Sequence, residues 1–180
     1  WALKTWKELD QQRQEARKQK AEGVMLKHRT SPYLGGRKRG YWWKYKHDPM
    51  HLDAVLLYAQ AGNGRRANLF TDYTFGLWSD AEAPELVTFA KAYSGLDNAE
   101  ILELDQWIRK NTLQRFGPTR SVRPEQVFEL GFEGIHTSKR HKAGVAVRFP
   151  RILRWRRDKP AQEGNCLNDA KQLMDDQRQT

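Results

Sequence analysis

The chain has 180 residues, of which 38% are apolar and 11% aromatic, and its seven tryptophans argue against a disordered chain. No apolar run approaches the roughly 18 residues of a membrane-spanning helix, and no signal-peptide pattern stands at the start. One cysteine, Cys166, excludes an internal disulfide and a cysteine-rich metal site, so the reducing cytoplasm is the expected compartment. A net charge of +10 favours an anionic partner such as nucleic acid, although a merely basic surface would carry the same charge. The sequence begins with Trp1 and not with Met, so we expect a processed or truncated piece of a longer protein.

The first elements are predicted to be one helix and two strands. A helix is expected over residues 5–20, where Thr5 and Glu8 fit a capping box, and its thin apolar stripe indicates a surface position. Residues 23–27 and 41–46 are typical of strands that pair as neighbours across a short connection.

A joint between two parts of the chain is expected at residues 47–49, His47-Asp48-Pro49. Beyond it, the apolar residues 52–58 predict a strand, and Gly62-Asn63-Gly64 predicts a turn. Residues 68–78, with alternating aromatics, predict one or two further strands.

Two helices are predicted next, each behind a capping box. Ser79 and Glu82 begin the first, and Asp97 and Glu100 begin the second. Each helix is expected to bury one apolar stripe. The stripe of the first is Leu86, Phe89, Ala90 and Tyr93, and that of the second is Ile101, Leu104 and Ile108.

After Gly117-Pro118 the pattern returns to strands, over residues 126–132 and 144–149, and residues 151–156 are expected to continue the second of these. Asn165 is predicted to cap a short last helix with an apolar stripe of Leu167, Ala170, Leu173 and Met174. Mainly β structure with inserted helices suits a small Greek-key barrel such as the OB-fold.

The segment Glu22-Gly23-Val24-Met25-Leu26-Lys27 carries a carboxylate at one end and an ammonium at the other. On a regular strand Glu22 and Lys27 point to opposite faces, but a bend at Gly23 would let both reach one pocket. The carboxylate could hold a divalent metal, and the lysine could meet a phosphate as a point charge. A strand with ordinary charged ends explains the same residues.

The segment Trp42-Trp43-Lys44-Tyr45-Lys46 alternates between aromatic and basic residues. Alternation places Lys44 and Lys46 on one face and Trp43 and Tyr45 on the other. Two neighbouring lysines repel each other unless an anion lies between them, which suggests phosphate binding. A basic exposed face over a buried aromatic face is the alternative. Three cations that suit DNA or nucleotide precede the segment: Arg37, Lys38 and Arg39.

Residues 139–159 space their arginines through apolar residues, which indicates a structured strand and not a solvated charge run. Arginine suits phosphate because its planar fork donates in pairs and keeps its charge. On a regular strand Arg154, Arg156 and Asp158 share one face, and Asp158 could orient an arginine or contribute to a metal–pyrophosphate site. The arginines spaced in this way are Arg148, Arg151, Arg154, Arg156 and Arg157.

A basic turn, Gly64-Arg65-Arg66, could touch a DNA backbone, and a solvated turn explains it equally well.

The sequence lacks the motifs of several other kinds of active site. The five histidines show neither HExxH nor paired zinc spacing, and there is no GxSxG elbow and no P-loop GxxxxGK[ST].

Three of these stretches resemble the motifs of covalent nucleotidyltransferases, and specifically those of ATP-dependent DNA ligases. EGVMLK is similar to motif IV, WWKYK to motif V, and RFPRILRWRRDK at residues 148–159 to motif VI. Residues 51–78 and 127–151 resemble the OB domain of bacterial members. The resemblance implies that residues 1–47 are the C-terminal end of the adenylation (nucleotidyltransferase) domain. It implies that residues 48–180 are an OB-fold domain, a five-stranded barrel with a C-terminal helix.

The resemblance also implies a function. The parent protein would be a monomer that seals nicks in double-stranded DNA through a lysyl-AMP intermediate, with ATP and Mg²⁺ and without a membrane. Such ligases serve DNA repair, replication and recombination. After adenylylation the OB domain would swing about a hinge at residues 46–49 to present another face to the nick.

Roles for individual residues follow from the resemblance. Glu22 would help to hold Mg²⁺, and Lys46 would support the phosphate contacts. Asp158 would join the arginines of motif VI in aligning pyrophosphate as the leaving group. The nucleotide contacts would be Glu22, Lys27, Arg37, Lys44, Arg148, Arg154, Arg156 and Lys159. The DNA contacts would be Arg37, Lys38, Arg65, Arg66, Lys139, Arg140 and Lys142.

One departure concerns the nucleophile. Ligases attack ATP with the lysine of a KxDG motif, and no KxDG occurs in these 180 residues. We therefore expect that the chain alone neither adenylylates itself nor seals a nick. A relative of capping enzymes or RNA ligases is one alternative, against which the RFPR form argues. A stand-alone OB module that binds DNA is the other, and it leaves EGVMLK and WWKYK unexplained.

Overall fold

The computed structural model describes residues 3–19, 21–64, 67–93 and 95–179. Within these ranges the backbone forms eleven strands and three α-helices, which confirms the prediction of mainly β structure with inserted helices. The chain divides into two compact units, one of residues 1–48 with 176–180 and the other of residues 49–175. No helix of the described part is long and apolar enough to cross a membrane.

The first unit contains helix α1 (Trp6–Lys18) and the antiparallel hairpin of β1 (Gly23–Lys27) and β2 (Trp42–Lys46). The predicted pairing of these two strands is confirmed, although the connection between them is a long one. Gly23 has a φ of +144°, and a Cβ there would lie 2.2 Å from the carbonyl oxygen of Tyr45. Only glycine fits where the two strands begin to pair.

Helix α1 begins where the sequence predicts. The backbone N–H of Glu8 donates to Thr5 Oγ1 at 3.2 Å, whereas the Glu8 carboxylate accepts from the Lys4 backbone N–H at 2.9 Å. The cap at Thr5 is therefore present, but the return bond reaches one residue further out than a capping box requires. The buried stripe is thin and contains Leu9 and Ala16.

The side chain of Tyr45 joins α1 to β2. Its hydroxyl donates to Asp10 Oδ1 at 3.1 Å, and the Arg13 guanidinium lies 4.7 Å from the centroid of its ring. Arg13 also donates to the backbone oxygen of Lys46 at 2.9 Å. These bonds hold the basic strand β2 against the helix.

The second unit is built around one antiparallel sheet with two helices. Its strands are β3 (Met50–Ala61), β4 (Phe70–Trp78), β5 (Leu86–Ala92), β6 (Thr112–Phe116), β7 (Thr119–Val122), β8 (Val127–Phe132), β9 (Gly134–Thr137), β10 (Val145–Arg148) and β11 (Arg151–Trp155). Helix α2 (Asn98–Lys110) lies between β5 and β6 in the chain, and a 3₁₀ turn (Ala161–Glu163) precedes α3 (Leu167–Gln179).

The central strand of this sheet is the long β3. The strand order is β11-β8-β3-β4-β5, β7 pairs with the second half of β3, and β6 pairs with β7. Strands β9 and β10 form a separate hairpin. Among the described residues these pairings run as an open path from β11 to β5, so they do not establish the predicted closed five-stranded barrel.

The core of the second unit is aromatic at its centre. The rings of Phe75 and Phe128 meet edge to face with centroids 5.3 Å apart, and Phe128 stacks on Trp155 at 5.4 Å. Helix α2 buries the stripe that the sequence predicts, and its capping box of Asp97 and Glu100 is complete. Burial of such large rings is the main source of stability in a unit of this size.

The helix predicted behind Ser79 is wrong, because residues 86–92 form β5. In the pairing with β4, Ala90 faces Phe75 and Thr88 faces Gly76, which leaves Phe89 as a bulge. A bulge places two successive residues on the buried side, and this spacing imitates the period of a helix. Ser79 instead closes the loop before β5, since its Oγ accepts the backbone N–H of Glu85 at 2.9 Å.

The prediction that residues 144–156 form one continuous strand is also wrong. Phe149 has a φ of +52° and Pro150 has no backbone N–H, so the chain turns between β10 and β11. Strand β10 then pairs with β9, and β11 pairs with β8. The short strands β6, β7 and β9 had no prediction.

Candidate functional site

A cluster of charged side chains lies where the chain leaves β11 beside the first half of β3. Arg156 Nη1 donates to Asp53 Oδ2 at 2.8 Å, and Lys159 Nζ donates to the same oxygen at 2.8 Å. The Asp53 side chain is 11% exposed, and those of Arg156 and Lys159 are each 20% exposed. One nearly buried carboxylate oxygen therefore holds two cations side by side.

Asp158 completes the cluster from the other side of Arg156. Nε and Nη2 of Arg156 donate to the two oxygens of Asp158 at 3.0 and 2.8 Å, which is the paired geometry of an arginine fork. The hydrogen bond from Arg156 lowers the pKa of Asp158 to about 2. The same bond raises the pKa of Arg156 above its ordinary value. Asp158 thus stays ionised and fixes the orientation of the guanidinium.

The carboxylate of Asp53 is itself held in place through its backbone. Asn165 Oδ1 accepts the backbone N–H of Asp53 at 2.8 Å, and the backbone N–H of Asn165 donates to the backbone carbonyl oxygen of Asp53 at 2.8 Å. Asn165 also donates to Asp169 Oδ2 at 2.8 Å, in the first turn of α3. The start of α3, near the cap position predicted for Asn165, thereby fixes β3 at Asp53.

The cluster is neutral overall, because two cations face two carboxylates. Asp53 and Asp158 occupy only part of the donor capacity of Arg156, and Asp53 takes one N–H of Lys159. The remaining N–H groups can donate to phosphate oxygens. Sequence reasoning missed Asp53, whose signal was a carboxylate within an otherwise apolar strand.

Arg154 does not share the position of Arg156. A register shift between Ile152 and Arg154 interrupts β11, and the strand ends at Trp155. Arg154 pairs with Glu129 of β8 at 3.3 Å, and its side chain is 62% exposed. Its charge still contributes to the low pKa of Asp158, so it lies close enough to add positive potential.

Arg148 and the cations of the loop between β9 and β10 belong to the β9–β10 hairpin and not to β11. Arg148 is exposed at the end of β10, with its guanidinium 5.0 Å from the Phe149 ring centroid. The loop between β9 and β10 is closed by Ser138, whose Oγ lies 2.7 Å from His141 Nδ1. Three exposed cations lie on this loop: Lys139, Arg140 and Lys142. Arg65 and Arg66 lie outside the described residues.

In the first unit the hairpin brings Glu22 and Lys46 together, with Lys46 Nζ 3.3 Å from Glu22 Oε2. The anion beside Lys46 is therefore a carboxylate of the same chain. Lys44 is exposed and lies opposite Met25 in the register. Lys27 lies at the other end of β1, where its ammonium is 4.2 Å from the centroid of the Trp42 ring.

The cations predicted to lie just before β2 are exposed. Arg37 and Lys38 occupy the connection between β1 and β2, and their side chains face solvent. The structure does not bring them to Glu22 or Lys46 through any described hydrogen bond.

A magnesium site is not complete in the described residues. No group of three or more His, Cys, Asp or Glu side chains there is arranged to hold a metal ion. Glu22 offers one carboxylate, which is the right donor, but Mg²⁺ also needs water and substrate phosphates around it. Glu22 can be one ligand of such an ion and not the whole site.

Comparison with curated proteins finds relatives named as ligases. The chain is 40% identical over 166 residues to "Probable DNA ligase" of Koribacter versatilis, and this match covers 92% of the chain and 28% of the relative. It is 34% identical over 158 residues to "DNA ligase" of Haloferax volcanii, covering 87% of the chain and 27% of the relative. The chain thus spans less than a third of the length of these relatives.

Solved structures show the same fold at low sequence identity. The structure of Pmar-Lig_PreS3 superposes with a TM-score of 0.63 at 18% identity, over 83% of this chain and 30% of that one. The ligase domain of LigD from M. tuberculosis superposes with a TM-score of 0.53 at 22% identity, over 84% of this chain and 50% of that one.

The family whose members match this sequence is described as the ATP dependent DNA ligase C terminal region, and the match covers residues 66–159. The matched range contains Arg156, Asp158 and Lys159, although not Asp53. More than half of the chain lies within it. The chain therefore belongs to the C-terminal, OB-fold region of the ATP-dependent DNA ligases.

Proposed function

We propose that this chain supplies the phosphate- and DNA-contacting C-terminal part of an ATP-dependent DNA ligase that seals nicks through a lysyl-AMP intermediate. The observation that carries the proposal is the shared oxygen of Asp53, which places Arg156 and Lys159 side by side at 2.8 Å each. Two fixed neighbouring cations suit a ligand with adjacent phosphate groups.

In this proposal the cations of the second unit bind the β- and γ-phosphates of ATP. Arg156 and Lys159 exchange Asp53 for phosphate oxygens, and Asp158 keeps the Arg156 guanidinium in its orientation. Positive charge at this point stabilises pyrophosphate as it leaves. Arg148 and Arg154 add charge from the exposed surface.

The first unit supports the same proposal through its own residues. Lys27, Lys44 and Lys46 are assigned to the nucleotide phosphate, and Arg37 to DNA or phosphate. Bound Mg²⁺ would neutralise phosphate charge, and Glu22 would be one of its ligands. Lys46 Nζ lies 3.3 Å from Glu22 Oε2, and in this proposal the pair is present before the ligand binds.

The two units are assigned to two domains of the parent ligase. Residues 1–47 are proposed as the end of the adenylation domain, and residues 48–180 as the OB-fold domain. The strand order β11-β8-β3-β4-β5 supports a five-stranded OB barrel as the underlying plan. For duplex DNA we propose contacts from Arg37 and Lys38 and from the loop that carries Lys139, Arg140 and Lys142, together with the turn of Arg65 and Arg66.

Binding of inorganic tripolyphosphate to the 180-residue chain tests the carrying observation. We expect Arg156→Gln to weaken binding about tenfold, because a charge-assisted hydrogen bond to phosphate is lost. Arg157→Gln is the matched control, since Arg157 is the next residue but pairs with Glu103 at 2.6 Å. Isothermal titration calorimetry at low salt measures both, with thermal unfolding as a check of folding. Equal affinities for the two variants would contradict the proposed phosphate site.

A further inference from the structure

The hairpin of β6 and β7, with the end of α2 before it, has a charge pattern that the proposed function does not use. Residues 109–123 contain five cations and no Asp or Glu. Lys110, Arg115 and Arg123 are exposed. The five cations are Arg109, Lys110, Arg115, Arg120 and Arg123.

Two of these arginines face each other across the hairpin. Arg115 lies directly opposite Arg120 in the antiparallel register. Like charges directly opposite in a sheet are destabilising, and an anion at this face would remove the cost. In the described part of the chain, the side chain of Arg115 has no hydrogen bond or ion pair that would offset its charge.

Arg120 and Arg109 both lie close to one aromatic ring, that of Phe70. Their guanidinium carbons lie 5.8 and 5.4 Å from the Phe70 ring centroid. Arg120 donates to the backbone oxygen of Gly117 at 2.7 Å, which uses a neutral acceptor and leaves its charge uncompensated. Arg109 is different, because it pairs with Asp105 at 2.7 Å.

The positive charge therefore rests on four residues spread along the hairpin and its base. A small polyanion needs cations that converge on one point, whereas a phosphodiester strand offers single charges at regular intervals. The spread of Lys110, Arg115, Arg120 and Arg123 suits the second kind of ligand. The hairpin follows α2 in the chain and joins the sheet through the pairing of β7 with β3.

We propose that this cationic hairpin, defined by Lys110, Arg115, Arg120 and Arg123, contacts the phosphate backbone of duplex DNA. The inference rests on the proposed ligase function and adds a DNA contact to it. The contact is independent of sequence, because only phosphates are bound.

Fluorescence anisotropy with a labelled nicked duplex and the 180-residue chain, over a range of salt concentrations, tests the proposed contact. We expect Arg115→Gln and Arg123→Gln each to weaken binding about three- to tenfold at low salt. Each should also reduce the slope of log K against log salt by about one. Lys91→Gln is the matched control: it removes the same charge from β5, where Lys91 pairs with Asp72 at 3.5 Å, and should change affinity less than twofold.

The outcomes separate this inference from the proposed function. If the unaltered chain binds the duplex and the hairpin variants behave like Lys91→Gln, the proposed hairpin contact is wrong and the ligase proposal stands. If the unaltered chain does not bind DNA even at low salt, both fail. Arg115→Gln should leave the thermal unfolding midpoint unchanged or raise it, because a like-charge pair is removed. A lower midpoint would show that Arg115 is structural and would overturn the inference.

Discussion

The carboxylate of Asp53 makes contacts that its neighbours in the sequence do not reveal. It lies within the apolar strand β3, and its partners Arg156 and Lys159 are 103 and 106 residues away in the chain. Motif resemblance identifies the two cations, because they stand close together in sequence. It cannot identify the carboxylate that joins them, since that contact is created by the pairing of distant strands.

The ionisation of Asp158 gives a prediction for this single residue. Its pKa of about 2 lies below the ordinary value near 3.9, so the bond to Arg156 contributes fully above that ordinary value and is lost as pH falls through about 2. We expect Asp158 to remain ionised at pH 3. Nuclear magnetic resonance titration of its carboxyl carbon should give a midpoint near 2.

Arg156→Gln is the control for this titration. Without the guanidinium, the pKa of Asp158 should return towards its ordinary value. Asp80 has a lowered pKa through its hydrogen bond with Lys171 and should keep it in the same variant. A midpoint for Asp158 that does not move on Arg156→Gln would contradict the assigned cause.

At the scale of elements, helix α2 shows where local sequence is sufficient. Asp97 accepts the backbone N–H of Glu100 at 2.8 Å, and Glu100 accepts the backbone N–H of Asp97 at 2.9 Å. Both bonds form between residues that are three apart, so the motif alone predicts them. Strand β5 could not be predicted in this way, because its bulge at Phe89 depends on the register with β4.

The cap gives a prediction for the element. Asp97→Ala should lower the free energy of unfolding by about 1 kcal/mol, because a helix-end N–H loses its acceptor. Asp97→Asn keeps an acceptor oxygen and should cost only a few tenths of that amount. Urea denaturation followed by circular dichroism measures both. Equal losses for the two variants would point to the charge of Asp97 and not to its cap.

At the scale of the whole molecule, the net charge does not tell which cations are available to a ligand. The net charge of +10 suggests an anionic partner. Only the structure separates cations with a carboxylate partner, such as Lys46 and Arg109, from those such as Arg115 that have none among the described residues. The mainly β class and the ligase family could be predicted from sequence, through three motifs in order. The hairpin of β6 and β7 could not, because its outer positions are mostly polar and show no clear alternation.

The missing KxDG lysine gives a prediction for the whole chain. Incubated with α-labelled ATP and Mg²⁺, the 180-residue chain should retain no covalent label after denaturing electrophoresis, because none of its lysines stands in a KxDG motif. A DNA ligase that carries the KxDG lysine is the positive control. Label on this chain would mean that another lysine serves as nucleophile.

The shared oxygen of Asp53 would affect the release of phosphate from the proposed site as well as its binding. Cations that already have a carboxylate partner gain less free energy from a phosphate than bare cations would, because one ionic bond is exchanged for another. In the proposed phosphate site the same exchange would run in reverse when the phosphate leaves, because Arg156 and Lys159 would return to an anion instead of to water. A site of this kind would bind phosphate moderately and release it readily.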